Sequence, residues 1–228
     1  VWNKMQDGKQ LTIVFHVDDC KLSHVDSKVI DKNIEWLREE YENIFEDGTG
    51  KMKVSRGRRH TYLGMDLDYS SNGQCTITMF KYIDEILAAW KKINQSTDQD
   101  GCKTVAGKFK NKSTAAPENL FVVDEDCKKL DSVKATAFHN IVAKALYITK
   151  QARPDISVAI AFLTTRVRQP DQDDWSKLSH LMKYLHGTRE LPLILGFDGT
   201  GIVKWYVDAS FAVHPNMRSH TGGAVTLG

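Results

Sequence analysis

The first regular pattern along the chain runs from Leu11 to Val17, where every position but Thr12 and His16 is apolar. Such a short continuous run predicts a buried strand. It stops at Asp18-Asp19, and a second short strand, Cys20 to Val25, follows, so the pair reads as a hairpin with two carboxylates at its tip. Beyond it Ile30, Ile34, Leu37, Tyr41 and Ile44 recur at helical spacing, which predicts a helix over 28–45, capped by Asp26 or Ser27 and ended by Gly48 and Gly50.

Strand-like pieces come next at Met52-Lys53-Val54, Tyr62 to Tyr69 and Cys75 to Met79, the last two joined through Asn72-Gly73, a strong hairpin signal. From Tyr82 the period returns to helical, with Ile83, Ile86, Leu87 and Trp90 on one face. Residues 94–130 are polar, basic and irregular and predict a long loop or tether. Three helices follow. Phe138, Ile141, Val142, Ala145 and Leu146 mark the first. Pro154 sits at the first turn of the second, whose face is Ile156, Ile160, Leu163 and Val167. The third is capped among Asp171–Asp174, packs through Trp175, Leu178, Met182 and Leu185, and stops at Gly187. Strand periodicity resumes over Leu191 to Phe197, Ile202 to Ala209 and Gly222 to Leu227. The fold class expected is α+β, in three parts: 1–79 with both hairpins, a helical block over 80–188, and terminal strands over 189–228.

Composition narrows this little. With 41% apolar and 26% charged residues in 228, a disordered chain is excluded. No apolar run approaches the roughly 18 residues that span a bilayer, and no membrane partner is expected. Cys20, Cys75, Cys102 and Cys127 stand far apart with no Cys-x-x-Cys pair, which argues against a zinc or thioredoxin-like motif and for free thiols in a reducing compartment. The net charge of +2 conceals a gradient: residues 1–50 carry 6 Lys/Arg against 11 Asp/Glu, and 51–113 carry 12 against 6. An acidic segment beside a basic one suits a site holding cations next to a polyanion; chance clustering on solvated faces is the competing account.

The sharpest feature is Phe15-His16-Val17-Asp18-Asp19-Cys20. Phosphoryl transfer on two metal ions about 3.5–4 Å apart needs carboxylates projected from rigid elements, and a core strand ending in a tight turn does that. Adjacent strand residues face opposite ways, so Asp18 and Asp19 should contribute unequally and a further carboxylate must come from elsewhere. On the residues alone, Asp-Asp in a hairpin turn is more often plain turn chemistry. A haloacid-dehalogenase reading would need Asp-x-Asp, which is not there. Asp66 and Asp68 share a strand face but read as solvated; His139, His180, His214 and His220 show no metal-ligand spacing; Trp36, Trp90, Trp175 and Trp205 read as core or rim packing.

In order, these pieces resemble the back half of a reverse transcriptase of copia-type LTR retrotransposons, running into ribonuclease H. His16-Val17-Asp18-Asp19 is similar to the polymerase Tyr-x-Asp-Asp motif, with His16 where the family has Tyr, and Tyr62-Leu63-Gly64-Met65 to its Phe-Leu-Gly-Ile primer-grip segment. Ala152-Arg153-Pro154-Asp155-Ile156 and Leu181 to Thr188 resemble its Thr-Arg-Pro-Asp-Ile and Arg-Tyr-Leu-Lys-Gly-Thr. Tyr206-Val207-Asp208-Ala209-Ser210 and Arg218 to Gly223 resemble the first ribonuclease H strand and its Arg-Ser-x-Ser-Gly.

The resemblance implies an RNA-directed DNA polymerase: a partial palm (1–79), a helical thumb (80–188) and truncated ribonuclease H strands (189–228). It implies Mg²⁺ ligands at Asp18, secondarily Asp19, and at Asp208. Primer or template contacts would fall on His16, Arg56, Arg58, Arg59, Tyr62, Leu63 and Gly64, helped by Lys51, Lys53, His60 and the lysines at 103, 108, 110 and 112. Its partners would be an RNA template, a DNA primer, their hybrid and, in the whole enzyme, a dNTP; its place would be the cytoplasm, in a virus-like particle. The family's first metal-binding Asp and its nucleotide-binding loop would lie upstream of Val1, and further ribonuclease H carboxylates after Gly228. This stretch alone is therefore expected to be inactive. The alternative is a degenerate or co-opted remnant that binds nucleic acid or a partner without catalysis.

Overall fold

The computed structural model describes residues 1–42, 50–96, 110–214 and 216–228. The expected end of the first helix, Gly48, Cys102, Lys103 and Lys108 lie outside them. The described residues form a mixed α+β protein with antiparallel sheets and five α-helices. Among the described residues no helix is long and apolar enough to cross a membrane. The chain divides into two units, Val1–Leu63 and Gly64–Gly228.

The first unit is built on a three-stranded sheet in the order β1 (Trp2–Gln6), β2 (Lys9–His16), β3 (Asp19–Ser23). Sequence reading missed β1. Its signal was Asp7-Gly8, whose φ values of 51° and 73° make the type I′ turn that closes β1 onto β2. β2 is thus paired on both sides, yet it is buried only at Leu11, and Phe15 is 62% exposed. The expected buried strand is covered at one end alone. Helix α1 (Ser27–Tyr41) is capped by Asp26, which accepts from the Lys28 backbone N–H at 2.9 Å. It buries Val29 and Ile34, and Asn33 reaches Gln6 of β1 at 3.4 Å. Residues 51–58 carry no strand, contrary to the reading of Met52–Val54: the Met52 N–H is taken by the Glu42 carboxylate at 2.8 Å instead of a ladder partner. β4 (Arg59–Tyr62) closes the unit.

The second unit opens with β5 (Met65–Asp68) and β6 (Gln74–Thr78), and β7 (Leu193–Gly196) pairs with β6. The run expected as one strand from Tyr62 to Tyr69 is broken at Leu63-Gly64, both at positive φ. Between β6 and β7 lie α2 (Phe80–Ser96), α3 (Ser132–Gln151), α4 (Ser157–Arg166) and α5 (Gln172–Gly187). Helix α3 packs against the other three, and its Phe138, Ile141, Ala145 and Ile148 are buried with Ile86, Ile160, Leu163, Leu181 and Leu185. Trp90 stacks on Trp175 at 4.7 Å, as packing aromatics should, whereas Trp36 and Trp205 are exposed. The segment 110–116 lies along α5: the Thr114 carbonyl meets His180 and Asn111 meets His186, each at 2.9 Å. A Cβ on Gly187 would stand 2.8 Å from Asn111, so only glycine admits that approach. A two-stranded sheet of β8 (Lys204–Ser210) and β9 (His220–Thr226) ends the chain.

One polar cluster around the buried Arg153 ties the helical block. Arg153, 1% exposed, makes two hydrogen bonds to Asp155 (2.9 and 2.7 Å) and two to Thr188 (3.0 and 2.7 Å); Tyr184 donates to Asp155 at 2.9 Å. Two of the sequence segments singled out above, around Arg153 and around Tyr184, are therefore one structural clamp. Burial raises the Asp155 pKa, but hydrogen bonds and charge from Arg153, then the Tyr184 hydroxyl, outweigh it and hold the carboxyl below its ordinary value. Because the folded pKa is depressed, the stabilisation is complete above the unfolded value of about 3.9 and is lost as pH falls through the folded one. Removing Asp155 as Asp155→Asn should flatten the acid limb of a urea-denaturation stability profile below about pH 4. Arg153→Met, which takes the donors away from Asp155 and Thr188, should cost about 1–3 kcal/mol in the same assay at pH 7.

Candidate functional site

The hairpin tip of β2 and β3 is a two-residue turn, Val17-Asp18. The register sets Phe15 opposite Cys20 and His16 opposite Asp19. Asp19 is thus the first residue of β3 rather than a turn residue, and Asp18 alone stands at the tip; both are exposed. Opposed residues share a face. His16, Asp19, Val14, Lys21, Thr12, Ser23 and Asn3 therefore form one largely polar face. On it Thr12 Oγ1 donates to Asn3 Oδ1 at 2.8 Å, and Gln10 Nε2 donates to both at 3.1 and 3.0 Å.

Val17 has φ = 53° and is 91% exposed. Only the first turn residue is left-handed, the type II′ pattern, whose natural occupant is glycine. A β-branched residue there is an outlier. The strain lies directly between His16 and the carboxylate pair.

The basic stretch follows α1. Arg56 pairs with Asp31 of α1, His60 Nε2 lies 2.9 Å from the Gly57 carbonyl, and Lys51 and Lys53 are exposed. Tyr62 is half-buried in β4; Leu63 (φ 51°) and Gly64 (φ 74°) make the tight turn after it. Burial first, then the charges of Asp19 and Cys20, push the Tyr62 pKa up.

Asp208 belongs to the second unit. It lies inside β8, not at a strand end, opposite Gly222, with its own carboxylate accepting the Ala209 N–H at 2.9 Å. Asp66 is exposed, and Asp68 caps the Ser70 N–H at 2.7 Å. Among the described residues no three acidic, His or Cys side chains converge as metal ligands. Asp18 and Asp19 therefore do not by themselves make a Mg²⁺ site. His214 and His220 acquire a role that sequence reading withheld: they pack on Phe121 (5.1 and 5.8 Å between ring centres), with His214 also stacked at 6.1 Å on Phe162 of α4.

The chain is 25% identical over 215 residues to a transposon Ty5-1 protein of Saccharomyces cerevisiae, covering 94% of this chain and 61% of that protein. It is 22% identical over 228 residues to a retrovirus-related Pol polyprotein from transposon TNT 1-94 of Nicotiana tabacum, covering 99% of this chain and 16% of the polyprotein. Over 91 residues, 40% of this chain, it is 26% identical to the secreted RxLR effector protein 161 of Plasmopara viticola. The chain thus spans less than two thirds of the yeast and tobacco relatives. Those two names support a retrotransposon Pol-derived sequence. No family model and no solved structure matches the chain.

Replacing Val17 by glycine removes the left-handed penalty of about 1–2 kcal/mol and adds chain entropy to the unfolded state. Val17→Gly should raise stability by about 0.5–1 kcal/mol in urea denaturation, whereas Val17→Ala should leave most of the penalty in place.

Proposed function

We propose that this chain is part of an RNA-directed DNA polymerase of a copia-type retrotransposon. The observation that carries the reading is the two-residue turn that presents Asp18 at its tip and Asp19 opposite His16 on a polar sheet face. The similarity to a transposon Pol polyprotein supports it. In this reading residues 1–79 belong to the palm, residues 80–188 form the thumb, and residues 189–228 open a ribonuclease H fold in which Asp208 is a metal ligand. Asp18, with Asp19, is the chain's contribution to a Mg²⁺ site that other residues complete. His16, Tyr62, Leu63 and Gly64 seat the primer end, and Arg56, Arg58, Arg59, Lys51 and Lys53 face phosphates. The partners are an RNA template, a DNA primer and their hybrid, with a dNTP in the whole enzyme. The thumb follows the hybrid by shape and backbone, without reading bases.

A second reading, a non-catalytic nucleic-acid-binding or interaction remnant, draws on the 91-residue likeness to a protein named as a secreted effector. Primer extension by the complete parent protein separates the two.

In the parent protein, Asp18→Asn should abolish extension of a DNA primer on an RNA template while leaving primer–template affinity within about threefold; retained extension would remove Asp18 from the site. With this chain alone, replacing Arg58 and Arg59 by glutamine should weaken binding to a labelled RNA–DNA hybrid and lower the slope of log affinity against log salt by about 2. An unchanged slope would take both side chains off the phosphates.

A further inference from the structure

The ribbon of β8 and β9 leaves large apolar side chains in solvent. Trp205 is 72% exposed, Val207 73%, and Phe211, just beyond the strand, 88%. Contiguous exposed apolar residues mark contact surfaces. The backbone points the same way. Among the described residues β8 pairs with β9 alone, so its other edge presents a row of unmatched N–H and C=O groups. β9 is held at both ends: Phe197 bridges to Leu227, the Asp198 N–H donates to the Leu227 carbonyl at 3.2 Å, and His220 packs on Phe121. The open edge is that of β8. Its two charged residues, Lys204 and Asp208, have opposite signs and stand two positions to either side of Tyr206.

We propose that the β8 edge pairs, antiparallel, with the β8 edge of a second copy of this chain, about a two-fold axis through Tyr206. Lys204 then stands opposite Asp208 of the second copy, and Trp205 opposite its Val207. These are an opposite-charge pair and an aromatic–β-branched pair, each made twice by symmetry. Trp205 and Val207, with Val225 of β9 beside them, line one side of the joined sheet; Lys204, Tyr206 and Asp208 line the other. An axis through Trp205 or Val207 leaves both charges without an opposite, and an axis between residues sets charged against apolar side chains. Neither charge is used up within the chain. Lys204 Nζ meets Asp198 at 2.5 Å, but an ammonium has three donors. Asp208 accepts the Ala209 N–H at 2.9 Å and keeps acceptor sites to spare. A contact about one two-fold axis closes on itself, so it stops at a dimer. The paired strand is short, so the interface is small, below about 1,200 Å², and a dissociation constant of about micromolar order is expected. The dimer goes beyond the polymerase reading and does not rest on it. Where Asp208 holds a metal, as proposed for the parent protein, Lys204 of a second copy is excluded from it.

Sedimentation velocity of the whole chain between about 1 and 100 µM should show a monomer–dimer equilibrium. Lys204→Glu and Asp208→Lys should each weaken it by about tenfold, because like charges then oppose twice across the axis. An equimolar mixture of these two variants restores both opposite pairs between unlike chains. It should form a heterodimer within about threefold of the native affinity. Mixing cannot repair the contact of Lys204 with Asp198 inside a chain, so such a rescue is intermolecular. Val207→Lys, at an exposed position outside the ion pairs, should leave the chain monomeric over the same range. A native chain that stays monomeric overturns the proposal. So does a dimer indifferent to Val207→Lys or to both charge reversals. So does a mixture that fails to dimerise although each variant matches the native chain in far-ultraviolet circular dichroism. Should a charge variant misfold, the native chain and Val207→Lys still decide the edge.

Discussion

The buried guanidinium of Arg153 is the interaction on which the helical block depends. A cation out of water is tolerated only when its donors are matched, and here four hydrogen bonds reach Asp155 and Thr188. Asp155 lies two residues on, within the 3-10 turn that starts α4, and Thr188 caps the far end of α5. The clamp therefore joins the α3–α4 corner to the C-terminus of α5, and Tyr184 adds a third tie from the last turn of that helix. A similar network holds the other end of α5. Arg166, at the end of α4, pairs with Asp171 and Asp174, which also form the reciprocal capping box. Charge thus fixes α5 at both ends, and the apolar seam of Leu178, Leu181, Met182 and Leu185 fills the space between.

This explains what could and could not be read from the sequence. The five helices were legible because each carries a 3.6-residue apolar stripe and most add punctuation that acts locally: Asp26 and Asp171 as caps, Pro154 at a first turn, Gly187 at an end. Strands were legible only where a turn signal or an apolar run stood out. β1 has mixed polarity and was missed because its stability comes from pairing with β2, a property of neither segment alone. The run Tyr62 to Tyr69 looked continuous because no pattern of apolarity reports that Leu63 takes φ = 51°. The Arg153 clamp was visible only as two separate segments. Its 35-residue span in sequence is closed by packing, and nothing local announces it.

The candidate site divides the same way. Asp18 and Asp19 were found because they interrupt an apolar run, and the hairpin drawn from that interruption formed, though Asp19 took a strand position. The strain at Val17 escaped notice because valine is ordinary in a strand and becomes unusual only in a two-residue turn. Tyr62 was chosen for its motif and not for its hydroxyl, whose isolation depends on burial that sequence does not report. Asp208 shows the limit in the opposite sense. It occupies a strand as expected, yet its neighbours there are Gly222 and its own backbone, and carboxylate chemistry needs convergence as well as a residue type.

Charge gives the remaining step. The acidic first fifty residues and the first part of the basic stretch fold into one unit, where Arg56 reaches back to Asp31 and Glu42 takes the Met52 N–H. Part of the apparent opposition is thus spent internally: exposed pairs of this kind are worth little in stability but hold a coil against a helix. Lys51 and Lys53 remain exposed beside it, and Asp18 and Asp19 remain exposed at the hairpin. Both charge types therefore persist at the surface of one small unit. The turn at Val17-Asp18 and the coil held at both Met52 and Arg56 fix where the two signs stand on that unit.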